Sequence, residues 1–262
     1  MKKITAFLTA WVFWLWAIVP PVPAQTMIVG RHRQVAVVAP SQSIVQYVNF
    51  ATVANSGTTK SISVSSTGSG HAFLVWFGGS GFSSVPTFTE TGGSDSWSNI
   101  INSTTACPSN GFSANYTCAI KYVCSGTSGV TALNFSGLLN ANPFYIGFVE
   151  MSGIASSSCL DSNSQTTWTR FTASPCTSSN MSTTAGDTII GFVDSSSSLT
   201  LAPNGAWANA NAAPGSGSAN LSSVVRTGMV ETQLNVSSGN HAAGGTATGS
   251  PSGGCLIVGF LN

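Results

Sequence analysis

Charge is what this chain lacks most. Asp, Glu, Lys and Arg make up 6% of its 262 residues, against about 25% in an ordinary globular domain. A surface so poor in ions must be solvated by the hydroxyls and amides of Ser, Thr, Asn and Gly. No basic stripe exists to hold phosphates, so a nucleic-acid partner is excluded. Seven carboxylates and three histidines leave little material for acid–base chemistry. No stretch keeps a helical period, and no apolar run reaches the roughly 20 residues that cross a bilayer. No Gly-x-Ser-x-Gly elbow occurs. No Gly-centred acidic loop with a closing Glu occurs either, which excludes an EF-hand.

What is there begins with an export signal. Lys2 and Lys3 precede an almost unbroken apolar run from Ile4 to Val19, and Pro20, Pro21 and Pro23 follow. Val22-Pro23-Ala24 predicts cleavage after Ala24, giving a signal peptide over 1–24 and a mature chain from Gln25. No Cys stands at the cleavage point, so no lipid anchor is expected, and no membrane span remains after cleavage. Loss of the two lysines leaves six basic against seven acidic residues. The expected location is the medium, the cell surface or the periplasm.

Six cysteines fit that location: Cys107, Cys118, Cys124, Cys159, Cys176 and Cys255. An even number in an exported chain reads as disulfides, with 15 connectivities open. Local closure makes 107–118 and 159–176 the simplest pairs, leaving 124–255. A thiolate metal site is not expected, because Cys118 and Cys124 have no His nearby.

Strand-like runs separated by Ser/Gly/Asn/Pro turns recur throughout. They cover 44–54, 60–65, 72–77, 87–89, 97–101, 115–124, 129–135, 144–151, 166–171, 188–193, 199–201, 222–236 (broken or bent), 241–248 and 255–261. Ser61-Ile-Ser-Val-Ser alternates cleanly, and in 118–124 Ile120, Tyr122 and both cysteines share a face, which predicts strands buried on one side. Phe144–Val149 and Leu256–Phe260 are apolar on both faces. They are central strands, or strands that face a second copy. Residues 124–129 read as a hairpin loop. Residues 25–43 read as an arm or leader strand, and 44–262 as a single domain.

Several of these patterns together carry a resemblance. They are Ser61-Ile-Ser-Val, His71-Ala-Phe-Leu-Val-Trp-Phe, Pro86-Thr-Phe-Thr with Trp97, and Ala119-Ile-Lys-Tyr-Val running into Val130-Thr-Ala-Leu-Asn-Phe-Ser. Further along come Val149-Glu-Met-Ser-Gly with Leu160-Asp161, Thr183-Thr-Ala-Gly-Asp-Thr-Ile-Ile-Gly191 and Gly245-Thr-Ala-Thr-Gly before a closing apolar strand. From about Val45 onward the chain resembles secreted bacterial jelly-roll surface modules of mostly unassigned function. The resemblance implies an all-β fold, an antiparallel two-sheet jelly-roll sandwich, here with added disulfides. It supplies no catalytic mechanism.

Candidate site residues follow from chemistry. Glu150, Glu231 and Asp161 are the carboxylates that could work as a pair on a concave sheet, provided they converge. The competing use of Glu150 and Asp161 is to cap backbone donors. Asp161 and Asn163 offer oxygens for a structural cation, although an Asx-turn is the commoner use. Trp97 and Trp168 lie in polar settings and are the candidates for stacking on a sugar ring, whereas Trp76 sits in a core-like strand. His71 and His241 look like turn-edge residues, so a Ser-His-Asp enzyme is not expected. Six Asn-x-Ser/Thr sequons, at Asn102, Asn115, Asn134, Asn180, Asn220 and Asn235, arise by chance in a chain this rich in Ser and Thr. No cofactor is expected. The expectation is a non-catalytic surface module whose partner is a polysaccharide or cell-surface glycan. The alternatives are a glycan-cleaving enzyme and a self-associating structural subunit.

Overall fold

A computed structural model describes residues 41–52, 56–104, 107, 116–139, 143–172, 175–195, 201–203, 208–209, 219–223, 226–247 and 253–262. The signal segment, most of the arm, His32, Asn115 and Trp207 lie outside the described residues. The described residues belong to one compact unit spanning 39–262. Every regular element among them is a strand.

The first eight strands are β1 (Ser43–Thr52), β2 (Thr59–Ser63), β3 (Ala72–Ser80), β4 (Thr87–Thr91), β5 (Ser98–Ser103), β6 (Tyr116–Val123), β7 (Ala132–Ser136) and β8 (Phe144–Ser152). They form a five-stranded sheet in the order β1-β8-β3-β6-β5 and a three-stranded sheet in the order β2-β7-β4. All pairings are antiparallel. Phe, Trp, Val and Ile dominate β3 and β8, the side chains that fill a pleated surface best.

The five-stranded sheet is buried on both faces, and side-chain alternation sorts its residues. Ala72, Leu74, Trp76, Tyr145, Val149 and Met151 point to one core. Phe73, Val75, Phe77, Phe144, Ile146 and Phe148 point to another, shared with Ile62, Leu133 and Phe135 of the three-stranded sheet. At Gly147 the absent side chain is itself part of the packing. A Cβ there would lie 1.8–2.2 Å from the Trp76 indole.

The second half supplies β9 (Thr169–Phe171), β10 (Cys176–Thr177), β11 (Met181–Thr183), β12 (Thr188–Ser195), β13 (Leu201–Pro203), β14 (Ala208–Asn209), β15 (Ala219–Ser223), β16 (Arg226–Gln233), β17 (Gly239–His241), β18 (Gly244–Ala247) and β19 (Gly253–Phe260). A six-stranded sheet runs β14-β16-β12-β19-β9, with β15 also on β16. Ile190, Phe192, Leu256, Val258 and Phe260 meet the five-stranded sheet in the first core. The other face of the six-stranded sheet carries Ile189, Ile257, Met181 and Ala243 in a smaller cluster. Two small sheets, β10-β18-β13 and β11-β17, complete the unit.

The chain is therefore all-β and antiparallel, with more than two sheets among its described residues. Both two-sided apolar segments are central strands: β8 lies between β1 and β3, β19 between β12 and β9, and each is buried. The run 222–236 is bent as expected, and β15 folds back on β16 with Ser223 opposite Arg226.

Three expectations need correction. The disulfides are 107–118, 124–159 and 176–255, so the guessed pairs 159–176 and 124–255 do not form. Cys124 and Cys159 both lie against the first core, whereas Cys176 and Cys255 share a cluster with Val193 on the far side of the six-stranded sheet. The pairs thus follow the layers rather than sequence distance. Residues 124–129 are not a hairpin loop, because β6 pairs with β3 and β5 while β7 pairs with β2 and β4; the loop carries the chain from one sheet to the other. Nor is β6 buried on one side only, since Ala119 and Val123 fill the second core.

Candidate functional site

One register row of the five-stranded sheet gathers polar groups at its end. Gln46 pairs with Glu150, Glu150 with Phe73, and Phe73 with Val123. Trp97 immediately precedes Ser98, which pairs with Tyr122. Residues directly opposite one another share a face, so this row runs Gln46, Glu150, Phe73, Val123, Trp97 on the side toward the three-stranded sheet. Three connections cover it: 64–71, 92–97 and 124–131.

Glu150 is fully buried. Its Oε1 accepts from Gly68 N at 2.7 Å and lies 2.6 Å from His71 Nδ1. Its Oε2 accepts from Gln46 Nε2. Gln46 also grips the main chain of Ser65, its Oε1 accepting from Ser65 N and its Nε2 donating to Ser65 O, both at 2.8 Å. One carboxylate thus ties β1, the 64–71 connection and the start of β3 together. A Cβ at Gly68 would stand 2.4 Å from His71 Cε1, so any side chain there would displace the imidazole. The His71 side chain keeps 27% of its surface exposed.

Trp97 is half-buried. Its ring packs 5.0 Å from Phe88 and 6.3 Å from Phe73, and its Nε1 donates to Glu90 Oε1 at 2.9 Å. Glu90 Oε2 accepts from Asp95 N at 2.9 Å. Burial pushes the Glu90 carboxyl above its usual range and the Asp95 charge adds to the rise, while the hydrogen bonds from Asp95 N and Trp97 oppose it. Asp95 in turn accepts from Thr127 N and Oγ1, and Thr67 Oγ1 donates to Thr127 O. At Gly92, φ is +88° and a Cβ would sit 2.1 Å from Gly129 O. Only glycine allows the 92–97 and 124–131 connections to touch there.

The other candidates lie elsewhere. Trp168 is half-buried against the first core, on the opposite face of the five-stranded sheet from Trp97. It lines a small cavity with Trp76, Ile120, Tyr145, Phe192 and Val230, and its Nε1 has no hydrogen-bond partner. Glu231 is fully buried on the outer face of the six-stranded sheet. Its Oε1 accepts from Gly244 N at 2.7 Å, and its Oε2 has no partner. Burial raises its carboxyl to about 8, against the pull of the Gly244 hydrogen bond.

Asp161 is buried on that same outer face and closes an Asx-turn, Oδ1 accepting from Asn163 N at 2.7 Å. Burial raises the neighbouring Asp187 carboxyl. Hydrogen bonds from Thr184 oppose the rise, and the Asp161 carboxyl adds to it. Asn163 contributes its main chain to the turn. No group of three or more metal-ligating side chains exists among the described residues.

The three carboxylates are not brought together. Glu150 and Glu231 point away from the core shared by the two large sheets, in opposite directions. Glu231 is opposite Gly191, which faces Ile257; Asp161 sits over Gly259, which faces Ile189. The Ile189/Ile257 cluster therefore separates them.

Sequence reasoning missed Gln46, Gly68, Glu90 and Asp95, and treated His71 as a turn-edge residue. Gln46 and Glu150 are 104 positions apart, and no local pattern announces such a pairing. Comparison with protein-family models, with characterised proteins and with solved structures finds no match to this chain.

Proposed function

We propose that this is an exported, non-catalytic β-sandwich module that binds a neutral glycan at the Trp97 end of its five-stranded sheet. The observation that carries the reading is the braced, half-buried indole of Trp97 at the end of the row that holds Gln46 and Glu150. An aromatic face beside amides and hydroxyls suits a sugar, whose C–H face stacks while its hydroxyls find polar partners. Export is supported by three disulfides, which fit an oxidising extracellular or periplasmic setting. No helix among the described residues is long and apolar enough to cross a membrane.

The pairings β1·β8, β2·β7 and β3·β6 nest inside one another. That is the pattern of a long hairpin rolled on itself, and it supports a jelly-roll reading of Ser43–Ser152. Glycan cleavage gains no support, because Glu150, Glu231 and Asp161 are buried apart. Self-association loses its motive, because both two-sided apolar strands are covered within the chain.

The test is depletion of the oxidised chain 25–262 from solution by a panel of insoluble polysaccharides. Retention on one of them, lost in Trp97→Ala and kept in Trp168→Ala, is the expected result. A melting curve for each variant separates lost binding from lost folding. Absence of retention on every polysaccharide refutes the reading; loss in Trp168→Ala alone moves the site to the other face.

A further inference from the structure

We propose that residues 243–245 are a lid over Glu231 that one proton keeps shut. The neutral carboxyl fits beneath the lid. Loss of the proton lifts Ala243 and Gly244, and water reaches the carboxylate. The device lies on the outer face of the six-stranded sheet and does not rest on the binding reading above.

The geometry is that of a closed compartment. Glu231 and Gly191 stand opposite one another on β16 and β12, and Glu231 is fully buried. A Cβ at Gly191 would lie 2.7 Å from Glu231 Oε1 and 2.5 Å from Ala243 Cβ. The missing side chain is therefore the space in which carboxyl and lid meet. Gly244 N donates to Glu231 Oε1 at 2.7 Å. Ala243 N donates to Ser178 Oγ at 2.9 Å, and Ser178 N to Ala243 O at 2.7 Å. Behind the lid, β18 pairs with two residues of β10 and three of β13, whereas β12 is paired along its length with both β16 and β19. Segments with so few pairings open before the central strands do.

No positive charge balances an ionised Glu231. Its Oε2 is buried without a hydrogen-bond partner. The surrounding strands β10, β13, β14, β15, β18 and β19 contain no charged residue. Arg170 of β9, Asp194 of β12 and Arg226 of β16 hold register positions on the opposite face. His241, two positions before the lid, turns its Nε2 to Ser237 O. Asp161 and its neighbour Asp187 lie beyond the Ile189/Ile257 cluster. A closed, ionised Glu231 thus has one N–H donor and no water. Its carboxyl is raised by burial to about 8 when closed, from an ordinary value of 4.5 that opening restores. The opening constant then grows about tenfold per pH unit between about pH 5 and about pH 7.5 and levels off above that.

Hydrogen exchange of the Gly244 amide tests this, followed by nuclear magnetic resonance between pH 5 and pH 7 and corrected for the intrinsic pH dependence of exchange. In wild type its protection should fall about a hundredfold over that interval and stay insensitive to low urea, the mark of a local opening. In Glu231→Gln the corrected protection should be the same at both pH values. Wild-type protection that does not fall with pH overturns the proposal without any variant. So does a Gly244 amide that exchanges no faster than the amides of β12 and β19 and follows urea as they do, because the lid then never opens apart from the whole unit.

Discussion

Glu231 makes the fold sensitive to pH in a direction opposite to that of a salt-bridged carboxylate. An acid held by salt bridges has a lowered pKa and stabilises the fold as pH rises. Glu231 has only the Gly244 N–H and a buried, unpartnered Oε2, so its carboxyl lies near 8 rather than 4.5. Below about pH 4.5 it is protonated in both folded and unfolded chains and contributes no pH dependence. As pH climbs, the unfolded chain releases this proton first, and stability falls until the folded carboxyl also ionises. Each unit of separation is worth about 1.4 kcal/mol. The loss between about pH 5 and about pH 7.5 is then on the order of 3 kcal/mol.

The perturbation is Glu231→Gln, which keeps the acceptor for Gly244 N–H and cannot ionise. Urea unfolding of wild type and variant across that pH range is the assay. Wild type should lose stability relative to the variant by about 3 kcal/mol over the interval. Asp187 is shifted in the same direction but is present in both proteins, so the difference isolates Glu231. Parallel stability curves would refute the reasoning, because they would mean that Glu231 ionises as readily in the fold as outside it.

Other substitutions test the packing. Gly147→Ala drives a methyl into the Trp76 indole at the centre of the first core and should cost about 3 kcal/mol or more in chemical unfolding. Replacing each disulfide by a Ser pair should destabilise in the order 176–255, then 124–159, then 107–118. The closed loops span 79, 35 and 11 positions, which corresponds to about 4.5, 3.8 and 2.8 kcal/mol on the loop-entropy account; three melting curves in equal buffer check the order. Gly68→Ala should displace the His71 ring and change its imidazole spectrum while leaving the far side of the unit unaffected. Amide exchange in β12 and β19 should remain as in wild type.

Much of the layering was legible because burial writes itself into alternation. Ile62 and Val64 are buried while Ser61, Ser63 and Ser65 are exposed, as the run of alternating serines requires. Phe144 to Val149 reads apolar on both faces because β8 has a core on each side. β6 was read as one-sided because Ala119 is small and Lys121 is charged. Yet Lys121 lies alongside the Phe88 ring, its stem covering apolar surface with its charge at the edge. Burial lowers the Lys121 pKa, as that placement requires. A charge in the pattern therefore hid a face that the fold covers.

The site was less legible, for a topological reason. Its donors come from β1, from the connection into β3, and from the mouth of β3, while the acceptor ends β8. Those strands become neighbours only through the order β1-β8-β3, which no local spacing encodes. Carboxylates are few in this chain, which makes each look like a candidate for catalysis. In the structure their scarcity has another consequence: Glu90, Asp95, Glu150, Asp161, Asp187 and Glu231 each accept from a backbone donor, a neighbouring side chain or both. Glu150 is itself fully buried while its partner His71 keeps part of its side chain exposed, so the end of β8 and the connection that covers it are joined through one imidazole.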